Sequence, residues 1–141
     1  EVALLVRIKL SAAKIVLRLH FPQKEAIRIR GDRSQLEQAV LNLVLNAQEA
    51  MGGGGVLTLG AIKRKDEIVL EVEDSGKGMK KDVADRLFEP FLSGRPGGTG
   101  LGMALVRRTV EAHGGTLRIQ TKPSKGTRVE MWLPAWSGTK A

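Results

Sequence analysis

The sequence predicts an α/β (α+β) two-layer sandwich, a mixed, mostly antiparallel sheet covered on one face by helices. Three observations predict it. Short alternating or β-branched stretches come in pairs across polar turns, 56–63 with 67–73 and 116–121 with 127–133, as hairpins do. Two longer segments, 32–51 and 101–113, repeat apolar residues at helical spacing. Their order sets helices before and between the hairpins rather than alternating them strand by strand.

Each element has its own local signal. Residues 1–14 space Val2, Leu5, Val6, Ile8 and Ala12 as a helix does, and 15–21 read as a strand ended by Pro22. Residues 26–30 (AIRIR) form a short strand. Asp32 is an N-cap, with Gln35 three residues on as in a capping box, and the helix it opens runs to about Met51. The four glycines 52–55 cannot continue it cheaply. After the first hairpin, 74–102 is loop-like apart from a short helix around 82–87. The helix over 101–113 ends at Gly114-Gly115, and the last hairpin turns through Lys122-Pro123-Ser124-Lys125-Gly126. No repeat or linker interrupts the chain, so 1–135 is expected to be one domain and 136–141 a loose tail.

Composition bounds the function. The 141 residues suffice for one core and not two, and 42 % apolar with 27 % charged residues excludes a disordered or collagen-like chain. Without cysteine there is no disulfide, thiolate metal site or Cys nucleophile. The net charge of +8 is spread, with 11 basic against 7 acidic residues in 1–70 and 12 against 8 in 71–141. No basic arm marks a nucleic-acid binder, while a diffuse positive field favours anionic ligands such as nucleotides, and acidic protein surfaces. The apolar runs fall far short of the ~20 residues of a membrane span, and no signal peptide opens the chain. A start at Glu1 rather than Met suggests a piece of a longer protein or a processed product.

Three constellations carry chemistry. The only two asparagines, Asn42 and Asn46, lie one helical turn apart in a polar stripe with Gln38 and Glu49, beside the apolar arc of Leu36, Ala39, Val40, Leu43, Val44, Ala47, Ala50 and Met51. The stripe either faces water or faces a ligand, its amide oxygens suiting a hard cation such as Mg²⁺. In Val72-Glu73-Asp74-Ser75-Gly76-Lys77-Gly78-Met79 a carboxylate leaves an apolar strand at a glycine turn. It is either an ordinary turn residue or an acceptor for an exocyclic amine such as that of adenine. Between 94 and 102 five glycines lead straight into a helix N-terminus, a place for phosphate. No parallel βαβ strand precedes this run and Gly-Lys-Ser/Thr is missing, so it is neither a Rossmann turn nor a P-loop. Phe88 and Phe91 anchor the loop to the core or are simple core residues.

In this order and at these separations the segments resemble the ATP-binding catalytic domain of two-component sensor histidine kinases. Asn42-Leu43-Val44-Leu45-Asn46-Ala47 is similar to the N box and Asp74-Ser75-Gly76-Lys77-Gly78-Met79 to the first glycine box. Leu87-Phe88-Glu89-Pro90-Phe91 is similar to the F box, Gly98-Thr99-Gly100-Leu101-Gly102 to the second glycine box, and Gly126-Thr127 to the closing Gly-Thr pair. The likeness runs from Asp32 to Leu133 and implies the Bergerat fold shared with gyrase, the Hsp90 chaperone and the MutL repair protein. It implies ATP and Mg²⁺ as ligands. Carried over by position, Asn46 holds Mg²⁺ against the phosphates, Asn42 is a second polar contact, and Glu49 and Ala50 border the nucleotide. Asp74 accepts from the adenine amine, with a water at Thr127, while Gly76, Gly78 and Met79 shape the base pocket. Gly98, Thr99, Gly100, Leu101, Gly102 and Met103 wrap the phosphates, and 91–97, with Phe91 and Arg95, form a lid.

The resemblance also implies a division of labour. Hydrolysing relatives place a water-activating Glu where this chain has Asn42, and an amide cannot take a proton from water near neutral pH. ATP is therefore expected to be held for transfer. Two departures stand out: Ser93-Gly94-Arg95 replaces a lysine-bearing lid run, with Arg95 supplying the charge, and Glu49 stands where relatives often have Lys. His20 and His113 lack the context of a phosphoacceptor and read as structural. The acceptor is expected on an upstream dimerisation domain, with a response-regulator receiver as the next partner, in a homodimeric cytoplasmic enzyme whose parent chain can be membrane-anchored. The rivals are a stand-alone serine kinase of the anti-sigma type and a non-catalytic ATP-sensing module.

Overall fold

The computed structural model describes residues 15–21, 29, 31–52, 54–89 and 102–135. The expected helix over 1–14, the short strand over 26–30 except residue 29, the lid and most of the glycine loop over 90–101, and the tail over 136–141 lie outside the described residues.

Five strands form one sheet in the order β1-β2-β3-β5-β4: β1 (Ile15–His20), β2 (Gly55–Arg64), β3 (Glu67–Asp74), β4 (Thr116–Thr121) and β5 (Thr127–Pro134). The two expected hairpins, β2–β3 and β4–β5, are antiparallel, and so is the β3–β5 pair that joins them. β1 pairs parallel with β2, with α1 (Arg33–Met51) between them in sequence, which makes the sheet mixed. A short α2 (Lys81–Ala84) and a longer α3 (Gly102–Ala112) follow β3.

Period-two burial fixes the registers. Leu57, Leu59, Val72, Val129, Met131 and Leu133 point to one face and join Ala39, Leu43, Val44 and Ala47 of α1 and Met103, Val106 and Val110 of α3 in one core. Leu43, Leu57, Ile68, Val106, Val110, Met131 and Leu133 are fully enclosed. The opposite face carries a polar row in which Arg128 pairs with buried Glu71 through Nη2 and lies 3.2 Å from Glu130 through Nε. Trp132 Nε1 donates to Glu130 at 3.1 Å and the Arg118 guanidinium stacks 3.9 Å over the indole. The register sets Glu71 directly opposite Glu130, and Arg128, within reach of both carboxylates, offsets the repulsion between them.

α1 begins as its capping residues dictate: Asp32 is extended (φ −83°, ψ 111°) and its Oδ1 accepts the Gln35 N–H at 3.0 Å. At the other end the Gly52 N–H returns to Glu49 O at 3.2 Å. α1 and α3 run antiparallel, clasped at both ends. At one, His113 Nε2 accepts the Asp32 N–H at 3.0 Å while Nδ1 donates to Thr109 O at 2.7 Å. At the other, Asn42 Nδ2 donates to Gly102 O at 3.3 Å. Ten residues separate Asp32 from Asn42 and eleven separate Gly102 from His113, so the two helical segments match in length at 1.5 Å per residue. His113 is thus structural, as its sequence context suggests, and His20 lies exposed at the end of β1.

Candidate functional site

α1 sets the scale of the site. Its residues Asn42, Asn46 and Ala50 succeed one another by about one turn, so the outer pair are about 12 Å apart along the axis. Asn42 belongs to one end. Its Nδ2 donates to Gly102 O and its Oδ1 accepts from Gln38 Nε2 at 3.1 Å, so both halves of the amide are engaged. A carbonyl only accepts, which fixes the orientation of that amide. Gly102 opens α3, where first-turn N–H groups have no partner within the helix and the dipole is positive. Gln38, Asn42, Phe88 and Gly102 share a cavity of about 620 Å³ with Leu105 and Arg107. Met103, the next residue, is buried in the core and holds the start of α3 down.

The other end of α1 meets the turn after β3. The Lys77 N–H donates to Ala50 O at 3.2 Å, and a Cβ on Gly76 would come within 2.5 Å of the same oxygen. Asp74, the last residue of β3, faces Thr127, the first of β5, and the two are 6 % and 5 % exposed. Burial pushes the Asp74 carboxyl above its ordinary value, against the lowering effect of the Gly76 and Thr127 N–H groups, and the charge of Glu73 adds to the rise. The Gly76 N–H lies 2.8 Å from Asp74 Oδ1.

Two glycines make this packing possible. Gly78 (φ +66°) and Gly126 (φ +78°) adopt left-handed backbone, and a Cβ at either would overlap a carbonyl oxygen, that of Lys122 or of Asp74. The two turns are thereby pressed together. One side chain in this junction had no sequence motif to mark it: Thr121. Its Oγ1 accepts the Met79 N–H at 3.0 Å, donates to Gly126 O at 3.0 Å and lies 2.8 Å from Thr127 Oγ1. The available signal was hairpin register, since Thr121 and Thr127 close the β4–β5 turn as a cross-strand pair. A cavity of about 750 Å³ opens here, lined by Asp74, Ser75, Thr121, Gly126 and Thr127 with Lys122 and Lys125 at its mouth.

The structure therefore brings Asn42 to Gly102, Ala50 to Gly76, and Asp74 to Gly76, Gly126 and Thr127. Asn46 is half-buried between the two ends, and among the described residues none hydrogen-bonds its side chain. Glu49 is exposed on the next turn. Phe91, Arg95, Gly98, Thr99, Gly100 and Leu101 lie outside the described residues. Among those described, no three acidic or histidine side chains cluster as a metal cage. A free amide oxygen suits an ion that keeps most of its waters and takes one or two protein ligands beside substrate phosphates, which is how Mg²⁺ binds.

A buried carboxylate at the C-terminal end of α1 and a glycine-opened helix start against its middle define a nucleotide-binding domain. The model of the histidine kinase-, DNA gyrase B- and HSP90-like ATPase family matches residues 31–137, and the chain belongs to that family. Sensor histidine kinase ZraS of Escherichia coli (strain K12) is 38 % identical over 119 residues, 84 % of this chain and 26 % of that protein. Sporulation kinase C of Bacillus subtilis (strain 168) is 34 % identical over 122 residues, 86 % of this chain and 28 % of that one. Among solved structures, the mycobacterial sensor histidine kinase MprB superposes with a TM-score of 0.82 at 28 % identity, covering 95 % of this chain and 91 % of that chain. Full-length ShkA in complex with AMPPNP superposes with a TM-score of 0.85 at 27 % identity, covering 95 % of this chain and 28 % of that chain. The chain spans about a quarter of the length of the curated relatives it matches. Among the described residues no helix is long and apolar enough to cross a membrane.

Proposed function

We propose that this chain binds Mg-ATP along α1 and donates the γ-phosphoryl group to a histidine on a separate helical domain of the same protein. The observation that carries this is the pairing of buried Asp74 at the C-terminal end of α1 with the Asn42–Gly102 contact two turns back, at the middle of the helix. Adenine sits against Asp74, with Gly76, Gly78, Met79 and Thr127 forming its surroundings and Glu49 and Ala50 bordering the sugar side. The polyphosphate runs toward the start of α3, wrapped by Gly98, Thr99, Gly100, Leu101, Gly102 and Met103, under a lid bearing Phe91 and Arg95. Asn46 is the residue that would hold Mg²⁺, which when bound neutralises the charge on the phosphates.

Phosphoryl transfer asks a protein chiefly for positioning and charge compensation. Backbone N–H groups at the α3 N-terminus supply both, and Arg95 brings a cation. Hydrolysing relatives of the resembled family hold a water-activating Glu one turn before the metal-holding Asn. Asn42 occupies that place, and an amide whose two halves are already hydrogen-bonded neither takes a proton nor moves to do so. The nucleotide is accordingly stored until an acceptor enters. The sensor histidine kinases among the relatives favour a histidine acceptor, a homodimeric parent protein, a receiver domain as the next phosphoryl acceptor, and a cytoplasmic workplace where ATP is available.

The test is to incubate the full-length parent protein with γ-labelled ATP and examine the label's chemistry. Acid-labile, alkali-stable label is expected. Acid-stable phosphoserine would contradict the proposal in favour of a serine kinase, and ATP binding without any label would leave a nucleotide sensor.

A further inference from the structure

The hydroxyl protons around Thr121 can be assigned from the hydrogen bonds alone. The Met79 N–H can only donate, so Thr121 Oγ1 accepts it. Gly126 O can only accept, so the single Thr121 proton goes there. The 2.8 Å contact between Thr121 Oγ1 and Thr127 Oγ1 must then be filled by the Thr127 proton. Thr127, whose proton is turned away toward β4, is left with lone pairs on its remaining side. Beside it stands the Asp74 carboxylate, acceptor-only when ionised.

We propose that Thr121, which lies behind the base pocket, is a positioning residue that sets nucleobase specificity by holding Thr127 as an acceptor. The pocket then offers Asp74 and Thr127 as two acceptors side by side, directly or through a bridging water. A 6-amino purine brings two N–H donors to such a pair. A 6-oxo purine brings one N–H, at N1, and a carbonyl oxygen, which finds no donor and is left unpaired. The proposal rests on the adenine reading of Asp74 and deepens it.

The experiment compares ATP with ITP, which differ at the purine 6-position, by calorimetry on the chain and its variants. The unmodified chain is expected to favour ATP by about tenfold or more, the worth of one hydrogen bond to a charged group. Thr121→Ser keeps the hydroxyl and the ratio. Thr121→Val frees the Thr127 hydroxyl to rotate and donate, and cuts the ATP/ITP ratio about threefold or more. In a Thr127→Val background the same change leaves the ratio alone, because its relay is gone. Equal loss of ATP and ITP affinity in Thr121→Val would overturn the proposal, since a purely structural role moves both alike. A chain without any ATP/ITP preference would overturn the adenine reading itself and the proposal with it. Should Thr121→Val not fold, proton NMR of the unmodified chain decides. The Thr127 hydroxyl proton is expected to show its cross-relaxation to Thr121, and a Thr121 hydroxyl proton directed at Thr127 instead would contradict the assignment.

Discussion

Asp74 joins stability and recognition in one side chain. Its carboxyl is raised above the ordinary value in the folded chain, chiefly by burial. The folded state therefore keeps the proton to higher pH than the unfolded state does. Through the window between the ordinary and the raised value, the native form binds more protons, so stability falls as pH rises. Asp74→Asn is expected to remove that slope from melting temperatures measured across acidic pH. The same variant is expected to lose about tenfold or more in ATP affinity, with a smaller loss for GTP. Equal losses for the two nucleotides would contradict an adenine-facing role. Among single residues, the sequence was informative where a residue type is unusual for its place. Two asparagines one turn apart and an Asp at a strand end before a glycine turn both stood out. Residue type and spacing alone did not separate Asn42 from Asn46, and the motif likeness was needed for that. Only the contact with Gly102, sixty residues away, ties up the first amide and leaves the second open. Thr121 escaped notice because a threonine in a strand is the ordinary choice there and its partners come from two other turns.

Among the elements, the antiparallel pair α1 and α3 decides the geometry of the site. Its two clasps sit where the matched lengths of the segments 32–42 and 102–113 put them, one at His113 and Asp32, the other at Asn42 and Gly102. The His113 bonds need the neutral ring protonated at Nδ1, because Thr109 O can only accept and the Asp32 N–H can only donate. The ring also packs so closely on Gly31 that a Cβ there would overlap it. His113→Leu keeps the bulk and loses both bonds. It is expected to destabilise the fold by about 1–2 kcal/mol in chemical unfolding and to weaken ATP binding through the loosened register of α3. Unchanged stability would show that the clasp is incidental. Both helices and both hairpins were readable from periodicity, capping residues and turn glycines, with no end shifted by more than one residue. The Asp32 cap and the glycine stop after Met51 lie where the sequence set them. Which way β1 pairs was not readable. A parallel partner is chosen by where α1 returns the chain, and no local pattern in six residues records that.

Across the whole molecule, the sheet is a bracket that carries β3 and β5 side by side so that Asp74 and Thr127 meet at one end of it. Helices cover one face, and a polar row of Glu71, Arg128, Glu130 and Trp132 runs along the other. The fold class followed from the arrangement of hairpins and helices, and the family from ordered motifs spread over most of the chain. The strand order did not, because it depends on β5 inserting between β3 and β4, a contact set after two helices and a turn have intervened. The proposed function requires one nucleotide spanning the site with its metal held by Asn46. Calorimetric titration of the chain and of Asn46→Ala with ATP, with and without Mg²⁺, tests this. One-to-one binding strengthened by Mg²⁺ in the unmodified chain, with that gain absent in a folded Asn46→Ala, is the expected result. Unchanged Mg-ATP binding by Asn46→Ala would contradict it.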